Sequence, residues 1–209
     1  MVVPSPPFPP GPPMHVGPAM HPLSKESLRR AALDARKAFV RTLSDGTRTM
    51  LEQQLARQLT ALCAGAKVVG GYAPLGSEIS PLPAIEEARA VGRIVAFPAF
   101  DHPAKPFKFR AGDPLQPGPF GIMQPKRSAP VVEPDLVLVP LIAIDGKGTR
   151  LGRGKGHYDR AVVRLKKSGA RLVGVGWVLQ RLADTIPSDE WDVPLDAFVS
   201  PDGLEWFDR

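Results

Sequence analysis

The stretch DLVLVPLIAIDGKGTRLGRGKGHYDRAVVRLKK, Asp135 to Lys167, passes through three textures. Its first residues are branched and apolar without alternation, which suits a strand buried on both faces. Its last eleven, HYDRAVVRLKK, set Val162, Val163 and Leu165 on the apolar side of a helix. The loop between them leaves the carboxyl end of the strand and carries Gly152, Gly154 and Gly156 among Arg150, Arg153 and Lys155. Strand, glycine-rich loop and helix in this order form the repeating unit of a parallel α/β sheet. Such sheets bind ligands at the carboxyl ends of their strands, against helix N-termini.

Outward from this unit the same texture recurs. KVVGGY, RIVAFPAF and RLVGVGWV are short valine-rich runs bounded by Gly, Pro or charge, and PLPAIEEARAVG and YDRAVVRLKKSG supply helical spacing between runs. The alternation predicts one α/β domain with helices on both faces of a mostly parallel sheet. Ser24 is a fitting N-cap for SKESLRRAALDARKAFVRTL, in which Leu28, Ala32, Ala35, Phe39 and Leu43 recur at helical spacing. Lys25, Arg29 and Arg36 form a basic edge beside that stripe, the ordinary reading of which is a solvated face. A second helix follows SDG, with Leu51, Leu55, Leu59 and Leu62 as its stripe. Residues 100–130 are rich in Pro and Gly, which predicts a functional loop or small β excursion with an edge strand at PFKFR. His102 in that segment reads as an exposed loop residue. Residues 1–23 form a proline-rich leader expected to be disordered, which leaves residues 24–209 as the single folded domain.

The chain has 209 residues, a net charge of +6 and one cysteine, Cys63, in the apolar run LTALC. A lone cysteine forms no internal disulfide and reads here as a buried structural thiol in a reducing compartment. No apolar run approaches the roughly 20 residues that span a bilayer, and the N-terminus lacks the pattern of a signal peptide. The expectation is a cytoplasmic protein with no membrane partner, acting as a monomer. A basic balance suits nucleic acid or a small polyanion alike. The cations are dispersed and no RNP-like or zinc-finger pattern is present, so nucleic acid is not expected as a partner.

The glycine loop fails two familiar tests. A Walker sequence needs Ser or Thr after Gly-Lys, and here Lys155 is followed by Gly156 and His157. A dinucleotide fingerprint needs a third glycine at an offset that GRGKGH lacks. What remains is an anion cradle: bare amides at Gly152, Gly154 and Gly156, with Arg150, Arg153 and Lys155 supplying mobile positive charge. Asp159 then suits a hard oxygen ligand for Mg²⁺, although a plain turn with Asp159 at the helix start fits the same residues.

With these residues in view, VPLIAIDGKGTRLGRGKGHYDR, Val139 to Arg160, resembles the signature of the 5-formyltetrahydrofolate cyclo-ligase family, also called methenyltetrahydrofolate synthetases. Three shorter stretches fall in the same order: KESLR, Lys25 to Arg29; YAPLGSEIS, Tyr72 to Ser80; and IPSDEWDVPLD, Ile186 to Asp196. The resemblance spans Ser24 to the C-terminus. It implies a three-layer α/β/α fold of the NagB/RpiA/CoA-transferase-like type, with a mostly parallel central sheet. It also implies an ATP- and Mg²⁺-dependent ligase that converts 5-formyltetrahydrofolate to 5,10-methenyltetrahydrofolate through a phosphorylated formyl group. By the same resemblance Lys25, Arg29, Arg150, Gly152, Gly154, Lys155, Gly156 and Tyr158 hold ATP, with Arg153 and Lys155 catalytic. Tyr72, Glu78, Arg153, Gly154, Lys155, Gly156, His157 and Trp177 meet the folate, Glu78 accepting from the pterin. Asp159 and Asp192 hold magnesium. Two departures stand out: His157 replaces the family's usual aromatic residue, and Ser80-Pro81 replaces a polar pair.

Overall fold

Ser24 and Ser44 open the first two helices in the same way. The Ser24 Oγ accepts the Ser27 amide at 3.2 Å to start α1 (Lys25–Thr42), and the Ser44 Oγ accepts the Thr47 amide at 3.1 Å to start α2 (Asp45–Gly65). The computed structural model describes residues 24–103, 105–154, 157–189 and 192–208, excepting the side chains of His157, Asp159 and Arg160. The proline-rich leader, Lys155 and Gly156 lie outside the described residues.

After α2 the chain alternates as its valine runs predict: β1 (Val68–Gly70), α3 (Leu82–Ala90), β2 (Ile94–Ala99), then β7 (Leu136–Pro140), α4 (His157–Lys167) and β10 (Arg171–Val175). The proline-rich segment between β2 and β7 contributes β3 (Lys108–Ala111), the short pair β4 (Gln116–Pro117) and β5 (Met123–Gln124), and β6 (Val131–Val132). β11 (Ala197–Ser200) and β12 (Gly203–Trp206) close the chain. Among the described residues these strands build an eight-stranded sheet in the order β12-β11-β10-β7-β1-β2-β3-β6. Its centre, β11 to β2, is parallel, and its edges are antiparallel.

Period-two side-chain alternation divides the core into two layers. Leu136 and Leu138 of β7 and Val173 and Val175 of β10 face Leu55, Leu59 and Ile85 of α2 and α3. Val137, Val139 and Leu172 face the other way, onto Ala161, Val162 and Leu165 of α4. The molecule is thus a three-layer α/β/α sandwich. Burying each such valine or leucine contributes about 1.5–3 kcal/mol, so unbroken apolar runs at the sheet centre are a physical necessity. α1 makes a smaller third cluster, packing Leu28, Ala32 and Leu33 on Ile142, Ala143, Leu151 and Ile186.

The loop after β7 is partly ordered as a hairpin of β8 (Ala143–Ile144) and β9 (Arg150–Leu151). Gly148 makes its turn possible. Its φ is +77°, and a Cβ there would lie 2.6 Å from the Leu195 carbonyl oxygen. The strand expected over RLVGVGWV ends earlier, at Val175, and Trp177 instead precedes a 3₁₀ turn, Val178–Gln180. From β1 the chain moves to β2 on one side, whereas β7 lies on the other. The loops leaving β1 and β7 therefore diverge, opening the crevice that parallel sheets use for ligands.

Candidate active site

That crevice holds a cavity of about 390 Å³. Part of its lining is cationic. Lys25, Arg29, Arg150 and Arg153 line the cavity together with Gly152, Gly154 and Asp192. Arg29 donates its Nε to the Gly152 carbonyl at 2.8 Å, tying α1 to the glycine loop, and Arg150 donates to the Val193 carbonyl at 3.2 Å. Gly154 has φ +78°, a conformation that favours glycine, and its missing Cβ would sit 3.6 Å from the Arg29 Cζ. Lys25 Nζ lies 2.5 Å from Oδ2 of both Asp189 and Asp192. Burial works to raise the Asp192 carboxyl, but the Lys25 ammonium and the Asp189 amide outweigh it and hold the group below the ordinary carboxylate range.

An ion pair is part of the same lining. Arg153 donates Nε and Nη2 to Glu78 Oε1 at 3.2 and 2.9 Å, and the Leu75 amide donates to Oε2 at 2.9 Å. Glu78 is 7% exposed, and Arg48 holds its carbonyl from α2 at 3.1 Å. Another part of the lining is aromatic and apolar: Tyr72, Phe100, Phe107, Phe120 and Tyr158, with Pro98, Ile122 and Pro140. Phe107 meets Phe100 and Tyr158 edge to face, at centroid distances of 5.6 and 5.0 Å. Tyr72 donates its hydroxyl to the Ile79 carbonyl at 2.8 Å, and burial pushes both tyrosine hydroxyls well above their usual range, so they stay protonated.

One cavity thus gathers ten of the residues singled out in the sequence: Lys25, Arg29, Tyr72, Glu78, Arg150, Gly152, Arg153, Gly154, Tyr158 and Asp192. Lys155 and Gly156 lie outside the described residues. His157 and Asp159 fall in the first turn of α4, with their side chains outside the description. Trp177 corrects an expectation. It is 1% exposed, packs edge to face on Phe39 at 5.5 Å, and does not line the cavity. Its indole Nε1 donates to the Ser77 carbonyl at 2.9 Å, so it supports the Glu78 loop from behind instead of forming a wall. Sequence reasoning missed the aromatic lining supplied by Phe100, Phe107 and Phe120. The only signal was the unusual length of the segment that carries them.

Among the described residues no group of three His, Cys, Asp or Glu side chains could hold a metal by itself. The donor set nevertheless fits a magnesium ion that takes most of its ligands from phosphate and water. Such an ion needs one or two hard carboxylates, and Asp192, beside Lys25 in the cavity lining, is one that stays ionised.

A cavity lined by cations, an ion pair and aromatic rings, at the switch point of a parallel sheet, is the arrangement of an α/β enzyme with a ligand crevice. The chain belongs to the 5-formyltetrahydrofolate cyclo-ligase family, whose pattern matches residues 22–201. The 5-formyltetrahydrofolate cyclo-ligase of Mycolicibacterium smegmatis is 29% identical over 192 residues, covering 86% of this chain and 95% of that one. The Escherichia coli K12 enzyme of the same name is 30% identical over 151 residues, covering 68% and 82%. The NMR structure of Aquifex aeolicus 5,10-methenyltetrahydrofolate synthetase superposes with a TM-score of 0.74 at 28% identity, covering 88% of this chain and 93% of that one. The fold and the ligase class are therefore those expected from the glycine motif. Among the described residues no helix is long and apolar enough to cross a membrane.

Proposed function

We propose that this cyclo-ligase closes the one-carbon bridge of 5-formyltetrahydrofolate with ATP as co-substrate, releasing 5,10-methenyltetrahydrofolate, ADP and phosphate. The carrying observation is one cavity lined together by cations, by aromatic rings and by the Glu78–Arg153 ion pair.

The formyl oxygen of the substrate attacks the terminal phosphoryl group, an O–P bond forms, and the bond to ADP breaks. N10 then attacks the activated formyl carbon and loses its proton. Phosphate departs with the former formyl oxygen, leaving the carbon bridged between N5 and N10. Little of this needs a protein nucleophile; it needs positioning and charge neutralisation. Lys25, Arg29, Arg150 and the amides of the Gly152–Gly156 loop hold the phosphates. Arg153 and Lys155 neutralise charge at the transferred group. Glu78 accepts hydrogen bonds from the pterin amino and ring N–H groups, with Tyr72, Tyr158 and His157 as flanking walls. Asp159 and Asp192 hold a magnesium ion, which supplies further neutralisation of the phosphate oxygens.

Mixing the protein with 5-formyltetrahydrofolate and Mg-ATP and following the methenyl chromophore tests the reaction. Lys155→Ala and Asp159→Ala are each expected to lose turnover while circular dichroism and melting behaviour stay as in the parent. Unchanged turnover in either variant would strip that residue of its role.

A further inference from the structure

Arg36 does not lie on a solvated edge. It is 1% exposed, buried beneath the helix that contributes Lys25, Arg29 and Leu33 to the cavity. Among the described residues it forms no salt bridge; its partners are neutral oxygens. Nε donates to the Ser77 hydroxyl and Nη1 to the Leu141 carbonyl, each at 3.0 Å.

These two oxygens belong to different loops. Ser77 precedes Glu78 in the loop leaving β1, and Leu141 follows β7 and lines the cavity. The guanidinium therefore bridges the two sides of the crevice at the point where the loops diverge. Each anchor is held a second time. Trp177 Nε1 grips the Ser77 carbonyl, and Gln180 Nε2 grips the Leu141 and Ile142 carbonyls at 2.7 and 3.0 Å. Gln180 Oε1 in turn accepts the Trp177 amide at 2.8 Å, which closes the ring of contacts. A rigid planar fork can serve two fixed acceptors at once, whereas an ammonium on a flexible stem cannot do so with the same geometry. Burial pushes the Arg36 guanidinium below the ordinary arginine range, and the nearby negative charge of Glu78 opposes that shift. A charge buried without a salt bridge is poor packing material, since an apolar side chain of similar volume would avoid its desolvation.

We propose that Arg36 is a positioning residue for the folate end of the site, setting the Glu78 loop against the Leu141 loop so that the carboxylate meets the ring at the correct place. The inference rests on the reading of Glu78 as the pterin acceptor. It concerns how that carboxylate is placed and assigns Arg36 no contact with either substrate.

Steady-state kinetics with both substrates varied separates this role from a general structural one. Arg36→Met is expected to raise KM for 5-formyltetrahydrofolate about tenfold or more, with KM for ATP within about twofold of the parent. Ser77→Ala removes only the Nε acceptor and is expected to give a smaller rise in the same constant alone. Arg36→Lys keeps the charge without the two-point grip and should fall between Arg36→Met and the parent. Equal rises in both KM values, or a lowered melting temperature with neither KM changed, would overturn the proposal by reducing Arg36 to an anchor for α1. Should Arg36→Met fail to fold, Ser77→Ala and Arg36→Lys decide by the same split. Glu78→Gln serves as reference. If it leaves the folate KM unchanged, the reading of Glu78 fails and this inference with it. If it raises that KM while the Arg36 and Ser77 variants do not, only the positioning role is lost.

Discussion

A thiol inside α2 behaves as a small hydrophobe. Cys63 is 1% exposed, and burial pushes its thiol up to about 12. At neutral pH it is protonated and shielded, so a maleimide should leave the native protein unlabelled and label it fully in denaturant. The same burial couples folding to pH. In the unfolded chain the thiol ionises near its ordinary value, about 8.5, whereas in the folded chain it holds its proton to about 12. Its contribution is therefore fully present below about pH 8.5 and declines above it, by about 1.4 kcal/mol for each pH unit up to the folded value. Urea melts of the parent and Cys63→Ala, compared between pH 8 and 10, should show the steeper loss in the parent; parallel curves would contradict it. At this scale the sequence was legible where a residue's chemistry is local. The glycine loop announces itself by type and spacing, whereas Lys25, Arg29 and Glu78 stand out only through the resemblance to the family. Arg36 reads as another solvated cation because nothing local says that Ser77 and Leu141 will close over it. Trp177 reads as a wall by resemblance and stands behind the Glu78 loop, since an aromatic at a strand end serves a wall or a prop equally well until its indole N–H finds a partner.

Turns and strands show where element-level reading succeeds and where it stops. The valine runs of β1, β2, β7 and β10 were legible because burial on both faces leaves no room for alternation. β11 and β12 carried a signal that was not used: Pro201 and Asp202 form a two-residue connection between apolar flanks, with Ser200 opposite Gly203. The β3–β6 excursion is legible only as a strand at PFKFR, and that strand is not the edge expected, since β3 pairs with β2 on one side and β6 on the other; pairs of two residues leave no period to detect. The hairpin of β8 and β9 hid inside a motif that looks wholly catalytic. Gly148 belongs to its scaffold, and Gly148→Ala combines a strained left-handed φ with a clash on the Leu195 carbonyl. Destabilisation of about 2 kcal/mol or more is expected, read as a lowered urea midpoint at unchanged slope. Because Arg150 sits on β9, activity should fall in parallel when assayed near the midpoint and recover at lower temperature.

At the scale of the molecule, distant parts of the chain meet around one crevice. α1 enters from the N-terminal side, and its Lys25 is clasped by Asp189 and Asp192 from the segment before β11. β1 delivers Glu78, and the hairpin after β7 delivers Arg153. Among the described residues the Glu78–Arg153 pair lines the same cavity as the cationic and the aromatic side chains. On the proposed reading, a carboxylate committed to a guanidinium is only half available to a pterin, and the guanidinium is only half available to a triphosphate. Whichever substrate arrives first would then divorce the couple, and the partner left behind would be primed for the second arrival. Affinities on the two sides are then reciprocally linked, as any shared free-energy cycle demands. Calorimetric titration of 5-formyltetrahydrofolate should show binding about fivefold or more tighter when a non-hydrolysable nucleotide is already present. Glu78→Gln should flatten that difference, and a parent protein indifferent to nucleotide would mean that the two charges act alone.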